Sequence, residues 1–174
     1  MKLGVISDTH DDALAVRRAV RAFNAEAVSL VMHAGDISSP ELASAFEGLK
    51  APFVGVCGNN DHDWQGLRGA FAPYGQIYRG YYDIALAGVR LALMHELRGL
   101  HQLPLNKKYD VVIYGHSHHF DVRNGHYLLV NPGQCKSGGE EPTVAILDLC
   151  SLTVRKIVLD TDEQSVAQHG GKER

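Results

Sequence analysis

The chain has 174 residues, 45% hydrophobic and 21% charged, with a formal net charge of −3. That length and balance suit one soluble globular domain with a sizeable core. They exclude a membrane span, because no apolar run is long enough, and argue against a nucleic-acid partner, because there is no Lys/Arg block.

In chain order, residues 3–6 read as a strand that runs directly into Ser7-Asp8-Thr9-His10. An acid and an imidazole two residues apart thus follow a strand tip. Asp11 or Asp12 can cap the next helix. In it Val16, Ala19, Val20 and Phe23 form one apolar stripe, with Arg17, Arg18 and Arg21 off the stripe on a solvated face. Residues 28–32 form a second strand entering His33-Ala34-Gly35-Asp36, which completes a βαβ opening. Ser39-Pro40-Glu41 starts a short helix that ends around Gly48, with Ser39 as cap and Pro40 at the first helical position. Residues 53–57 are a third strand, followed by Gly58-Asn59-Asn60-Asp61. Residues 64–75 hold a short helix and then a turn at Pro73-Tyr74-Gly75. Tyr78, Tyr81 and Tyr82 form either an aromatic patch for a homo-oligomer contact or part of the core.

Residues 82–87 and 89–94 pair around Gly88, and the second delivers His95-Glu96. A broken helix over 97–105 ends near Pro104. Residues 110–114 are a short buried strand leading to Gly115-His116-Ser117-His118. Asn124-Gly125 signals a tight hairpin between 120–123 and 126–130, and 143–149 pairs with 152–159. The expected organisation is one domain over residues 1–160 and a flexible polar tail over 161–174. The class is α/β, with a mixed sheet or two sheets packed face to face between helices.

Cys57, Cys135 and Cys150 are odd in number and lack C-x-x-C spacing, as expected of a reduced, cytoplasmic setting. The N-terminal apolar run is too short for a secretory leader. The chain has 10 histidines, and four of them fall in a repeated pattern. Five apolar segments each end in N/O ligand types, which collects Asp8, His10, Asp36, Asn59, His95, His116 and His118. If the strands share an end, these residues meet at one rim, where open α/β sheets place their sites. Seven donors without a thiolate exceed one tetrahedral zinc site and suit two borderline divalent ions. Such a centre is net electropositive and attracts phosphate without a basic patch. His101, His126 and His169 fall outside the pattern and read as surface or core residues.

Ser7-Asp8-Thr9-His10, Gly35-Asp36, Gly58-Asn59-Asn60-Asp61, His95 and Gly115-His116-Ser117-His118 resemble, in order and spacing, the five motifs of the calcineurin-like metallophosphoesterases. Asn131-Pro132-Gly133 is similar to a feature of the small bacterial and archaeal phosphodiesterase branch. The resemblance implies a four-layer αββα fold, two mixed β-sheets packed as a sandwich between helices. It implies a first metal held by Asp8, His10, Asp36 and His118, and a second held by Asn59, His95, His116 and a bridging Asp36. Manganese is the first choice of ion, with nickel, iron(II) and zinc as alternatives. The implied reaction is phosphodiester hydrolysis of a small substrate by a metal-bridging hydroxide. Asp36, Asn59 and His95 carry the catalysis through that hydroxide.

Three positions depart from the family pattern. Asn60 stands where many relatives have a histidine that assists the leaving group, so good leaving groups are expected to be preferred. His62 and His119 are the residues near enough in sequence to substitute. Glu96 replaces a usual glycine and either orients a ligand imidazole or faces solvent. Gln134 replaces a usual serine. Asp61, Glu96 and His119 are expected to support the ligands. Alternative readings are a phosphomonoesterase, a nuclease, or a non-catalytic scaffold like the retromer subunit of similar fold. The missing histidine at Asn60 weakens the first, and the absence of basic patches weakens the second.

Overall fold

The computed structural model describes residues 1–159 apart from 105, 139 and 140. The polar tail expected over 161–174 lies outside the described residues.

The first sheet is ordered β11-β10-β1-β2-β3-β4. Its strands are β1 Lys2–Ile6, β2 Leu30–His33, β3 Phe53–Val56, β4 Gly75–Tyr78, β10 Thr143–Asp148 and β11 Thr153–Val158. β1 to β4 are parallel, and β10 and β11 add an antiparallel edge. The second sheet is ordered β5-β6-β7-β9-β8, built from Tyr81–Leu86, Val89–Met94, Val111–Ile113, Leu128–Pro132 and Phe120–Asn124 respectively. Within it β6, β7 and β9 are parallel. Both sheets are therefore mixed.

β1 shows why its run is continuously apolar. Leu3 and Val5 enter the core between the two sheets, beside Val54, Val56, Leu91, Leu93, Val111 and Ile113. Ile6 points to the other face, towards helix α1 (Ala13–Ala25). A strand buried on both faces has no polar side to alternate with. Gly4 also faces α1, and a Cβ there would sit 2.7 Å from the Phe23 ring. The α1 stripe of Val16, Ala19, Val20 and Phe23 is buried as its spacing predicts. Asp12, not Asp11, is the cap, accepting from Ala15 N.

Helix α2 (Trp64–Phe71) and the 3₁₀ segment Pro40–Phe46 cover the same face of the first sheet. There Phe46, Phe53 and Phe71 meet at centroid distances of 5.0–5.2 Å. Each buried ring contributes roughly 1.5–3 kcal/mol from area alone. A smaller cluster of Ala92, Met94, Val112 and Tyr114 is covered by Leu97, Leu100 and Leu103, around the 3₁₀ segment Leu97–Gln102.

Several local expectations change. The segment after Ser39 is 3₁₀, not α: Leu42 N and Glu47 N donate three residues back. So short a piece gains little from helix propagation, and packing sets its geometry. Ser39 does not cap it; its hydroxyl donates to Asp11 Oδ1 at 2.8 Å. Arg18 is buried (9% exposed), not solvated, although its neighbours on the polar face are exposed. β4 follows α2 so closely that the turn residues mask it. The hairpin after β8 is wider than Asn124-Gly125 implies: Asn124 pairs with Leu128, and neither residue has positive φ. Tyr78 and Tyr82 stack at 4.6 Å and, half-buried, pack against the inter-sheet core, while Tyr81, also half-buried, packs against the smaller cluster of the second sheet.

Candidate metal centre

The parallel strands of each sheet deliver their C-terminal ends to one rim. Asp8 and His10 follow β1, Asp36 follows β2 and Asn59 follows β3. From the other sheet, His95 follows β6, and His116 and His118 follow β7.

The loops are held in conformations that L-residues adopt at a cost. Asp8, His10, Asp36, His116 and His118 all have φ between +40° and +67°. Each such residue costs about 1–3 kcal/mol, and the surrounding bonds must over-determine it. Those bonds are present. Asp8 N donates to Gly35 O, Thr9 N and His10 N donate to Asp36 O, and Cys135 N donates to Ser7 O. Two glycines permit close approach of the loops, one between neighbouring strands of the first sheet and one between the two sheets. A Cβ on Gly58 would lie 2.2 Å from Asp36 Oδ1, and one on Gly115 would lie 2.0 Å from Ser7 Oγ.

Asp8, His10, Asp36 and His118 form a group that can hold a metal ion, with one donor atom each, all within 4.8 Å of one another. His10 Nε2 lies 3.3 Å from His118 Nε2, 4.0 Å from Asp8 Oδ1 and 3.8 Å from Asp36 Oδ2. Asp8 Oδ1 is 3.3 Å from His118 Nε2. Asp8 is fully buried, and its Oδ1 accepts no hydrogen bond. Burial pushes its carboxyl up from the usual range; the Ser7 hydroxyl, His95 and His118 oppose this, and Asp36 adds to it. A buried, orphaned carboxylate oxygen facing two imidazole nitrogens fits a cation, which would remove that penalty.

Asn59, His95 and His116 gather on the other side of Asp36. His95 Nε2 lies 2.9 Å from Asn59 Oδ1 and 3.5 Å from Asp36 Oδ1, and His116 Nδ1 lies 3.0 Å from Asn59 Oδ1. His95 Nδ1 is 2.8 Å from Ala34 O, so it carries the proton and leaves Nε2 as the lone-pair donor. All seven residues are thus close together, with the two oxygens of Asp36 facing different halves of the group.

Of the supporting residues, Asp61 does the most. Its Oδ2 accepts from Asp36 N and Gly58 N, and its Oδ1 from Ser38 N, which ties the Asp36 loop to the Asn59 loop. Glu96 Oε2 lies 3.9 Å from His116 Nε2, and the Glu96 carboxylate pairs with Arg98 at 2.6 Å. It therefore faces the imidazole and not open solvent. His119 and His62 are exposed. Asn60 donates its backbone N–H to Asp36 Oδ1 at 2.9 Å and its side-chain amide to Oδ2 at 2.7 Å. Gln134 contributes through its backbone, donating to His118 O.

Sequence reasoning missed two supports. Asn131 is fully buried and donates to Gly115 O and Ser117 Oγ, bracing the loop that carries His116 and His118. His33 accepts from Gly35 N at Nδ1, so its Nε2–H donates to Thr9 Oγ1, whose hydroxyl reaches Asp36 O. The histidine after the second apolar run was the available signal.

Burial lowers the His33 pKa to about 3, with the charge of His95 adding to the effect. Between the ordinary imidazole value and about 3, the unfolded chain binds a proton that the folded chain refuses. Stability is then full above that window and falls as pH falls through it. Urea midpoints of metal-free His33→Gln should depend on pH less steeply than those of the wild type below about pH 6.5. Identical slopes would show that His33 titrates normally.

A cavity of about 240 Å³ borders the centre, lined by Asn59, His95, Glu96, Arg98, Cys57 and Gly80 among others. The Cys57 thiol is pushed up to about 12 by burial and by Asp61, so it stays protonated and is no nucleophile. Among the described residues, no helix is long and apolar enough to cross a membrane.

Comparison with known proteins fits this geometry. The family model for the calcineurin-like phosphoesterase superfamily domain matches residues 1–152. A phosphodiesterase of Methanocaldococcus jannaschii is 34% identical over 170 residues, covering 92% of this chain and all of the relative. A solved archaeal phosphodiesterase superposes with a TM-score of 0.83 at 32% identity, over 91% of this chain and all of that one. Vps29 of Chaetomium thermophilum shares the fold alone: TM-score 0.65, 16% identity, 85% of this chain and 82% of its own. With its strand-end motifs in family order and a family match over most of its length, the chain belongs to the calcineurin-like phosphoesterase superfamily.

Proposed function

We propose that the protein is a metal-dependent phosphodiesterase with a dinuclear centre. The observation that carries this reading is the position of Asp36: Oδ2 faces His10 and Oδ1 faces His95, at 3.8 and 3.5 Å. One ion would be held by Asp8, His10, Asp36 and His118, the other by Asp36, Asn59, His95 and His116. An N/O donor set favours manganese first, with nickel, iron(II) and zinc behind it. Divalent ions there would supply Lewis acidity and a water of lowered pKa.

The chain's own residues do the rest. Asp36 links the two halves. Asn59 and His95 border the cavity where a small phosphodiester would lie. The names of the archaeal relatives favour a diester over a monoester. The free thiols of Cys57, Cys135 and Cys150 favour a reduced, cytoplasmic setting.

A scaffold role is the second reading, favoured by the Vps29-like fold alone. Metal content separates the two. After reconstitution with Mn²⁺ and removal of excess, about two ions per chain and turnover of bis(4-nitrophenyl) phosphate are expected. No bound metal and no turnover would leave the scaffold.

A further inference from the structure

A second, larger cavity of about 440 Å³ lies against β4, the free edge of the first sheet, and is walled on its other side by α2. Trp64, Arg68, Gln76, Tyr78 and Arg79 are among its lining. Trp64 is the chain's one tryptophan. Two guanidinium groups lie over its indole: Arg68 Cζ is 5.7 Å and Arg79 Cζ 5.6 Å from the ring.

Neither arginine is ion-paired with a carboxylate among the described residues. A guanidinium packed on an aromatic ring keeps its edge N–H donors free, and the packing limits its rotamers. Two such forks in one concavity are pre-organised for an oxyanion. The Trp64 Nε1–H is buried without an acceptor, which leaves an unsatisfied donor in the same cluster.

The cavity adjoins the metal centre along the chain. Arg79 lines it, and the next residue, Gly80, lines the smaller cavity together with Asn59 and His95.

We propose that the Trp64–Arg68–Arg79 cavity is a phosphate subsite, which takes the non-reacting phosphate of a substrate that carries more than one. The binding step stands independently of the phosphodiesterase reading; the assignment to a substrate arm rests on it.

Trp64 is its own reporter. Pyrophosphate titrated into the chelator-treated full chain should give a saturable fluorescence change. Affinity should fall about 10–100-fold in Arg79→Gln and in Arg68→Gln, the cost of a lost charge-assisted hydrogen bond. Asp36→Asn should keep the wild-type affinity, because the metal centre is elsewhere. No saturable change, or wild-type affinity in either arginine variant, would overturn the subsite whether or not the protein is a phosphodiesterase.

Kinetics of the Mn²⁺-loaded enzyme then assign the source. Compare kcat/KM for an aryl diester bearing a second phosphate with that for bis(4-nitrophenyl) phosphate. A ratio that falls about 10-fold or more in Arg79→Gln supports the substrate arm. An unchanged ratio, with pyrophosphate altering only the wild-type rate, overturns that assignment and makes the ligand a separate phosphorylated effector.

Discussion

Asp36→Asn is expected to lower the hydrolysis of bis(4-nitrophenyl) phosphate by at least the roughly 10²–10³-fold that loss of one preorganised electrostatic stabiliser costs. The substitution is nearly isosteric, and Asn tolerates the left-handed backbone (φ 58°) that Asp36 adopts. The loop remains anchored because Asp36 N still donates to Asp61 Oδ2, and Thr9 N and His10 N still donate to Asp36 O. Removed are the negative charge and one of the two anionic oxygens that face the two donor groups. Bound metal should fall below about two ions per chain while the melting temperature of the metal-free protein stays near the wild-type value. Wild-type turnover with wild-type metal content would remove Asp36 from the centre and the dinuclear reading with it.

Aryl phosphodiesters should be cleaved far faster than alkyl ones, beyond the difference in their uncatalysed rates. A positioned general acid contributes roughly 10²–10⁴-fold with poor leaving groups, and Asn60 cannot supply it. Its amide never titrates, and both of its nearby donors already bind Asp36, at 2.9 and 2.7 Å. Cys57 is no substitute, because its thiol is held at about 12. Asn60→His should narrow the aryl/alkyl gap by raising the alkyl rate. It should also cost some metal affinity, since it removes the side-chain bond to the carboxylate. Comparable aryl and alkyl rates in the wild type, with Asn60→His neutral on both, would mean that another group protonates the leaving oxygen.

The two expected results would divide the roles of neighbouring residues. With those outcomes, Asp36 would act through its charge and Asn60 through its hold on that charge. Asp61, one residue further on, acts through three backbone N–H groups. All three are polar residues within two short loops, and residue type alone does not separate them.

Much of the fold and of the site was legible in the chain itself. Apolar runs ending in Asp, Asn or His located the strand tips, because a strand buried on both faces must be apolar until it reaches the rim. The α1 stripe followed from helical spacing. The 3₁₀ segments, β4 and the hairpin width did not, because propensity is weak over so few residues and packing decides. Arg18 looked solvated on a helical wheel, yet the tertiary fold covers it.

The amino-acid order by itself determined which donors exist and that each follows a strand. Only the tertiary structure decided that two sheets share one rim, that the two Asp36 oxygens face different partners, and that Asn131 and His33 brace the loops from behind. Those relations are contacts between residues distant in sequence, set by sheet order and by glycines where a Cβ would fall within 3 Å of a neighbouring loop. Neither periodicity nor local spacing encodes them.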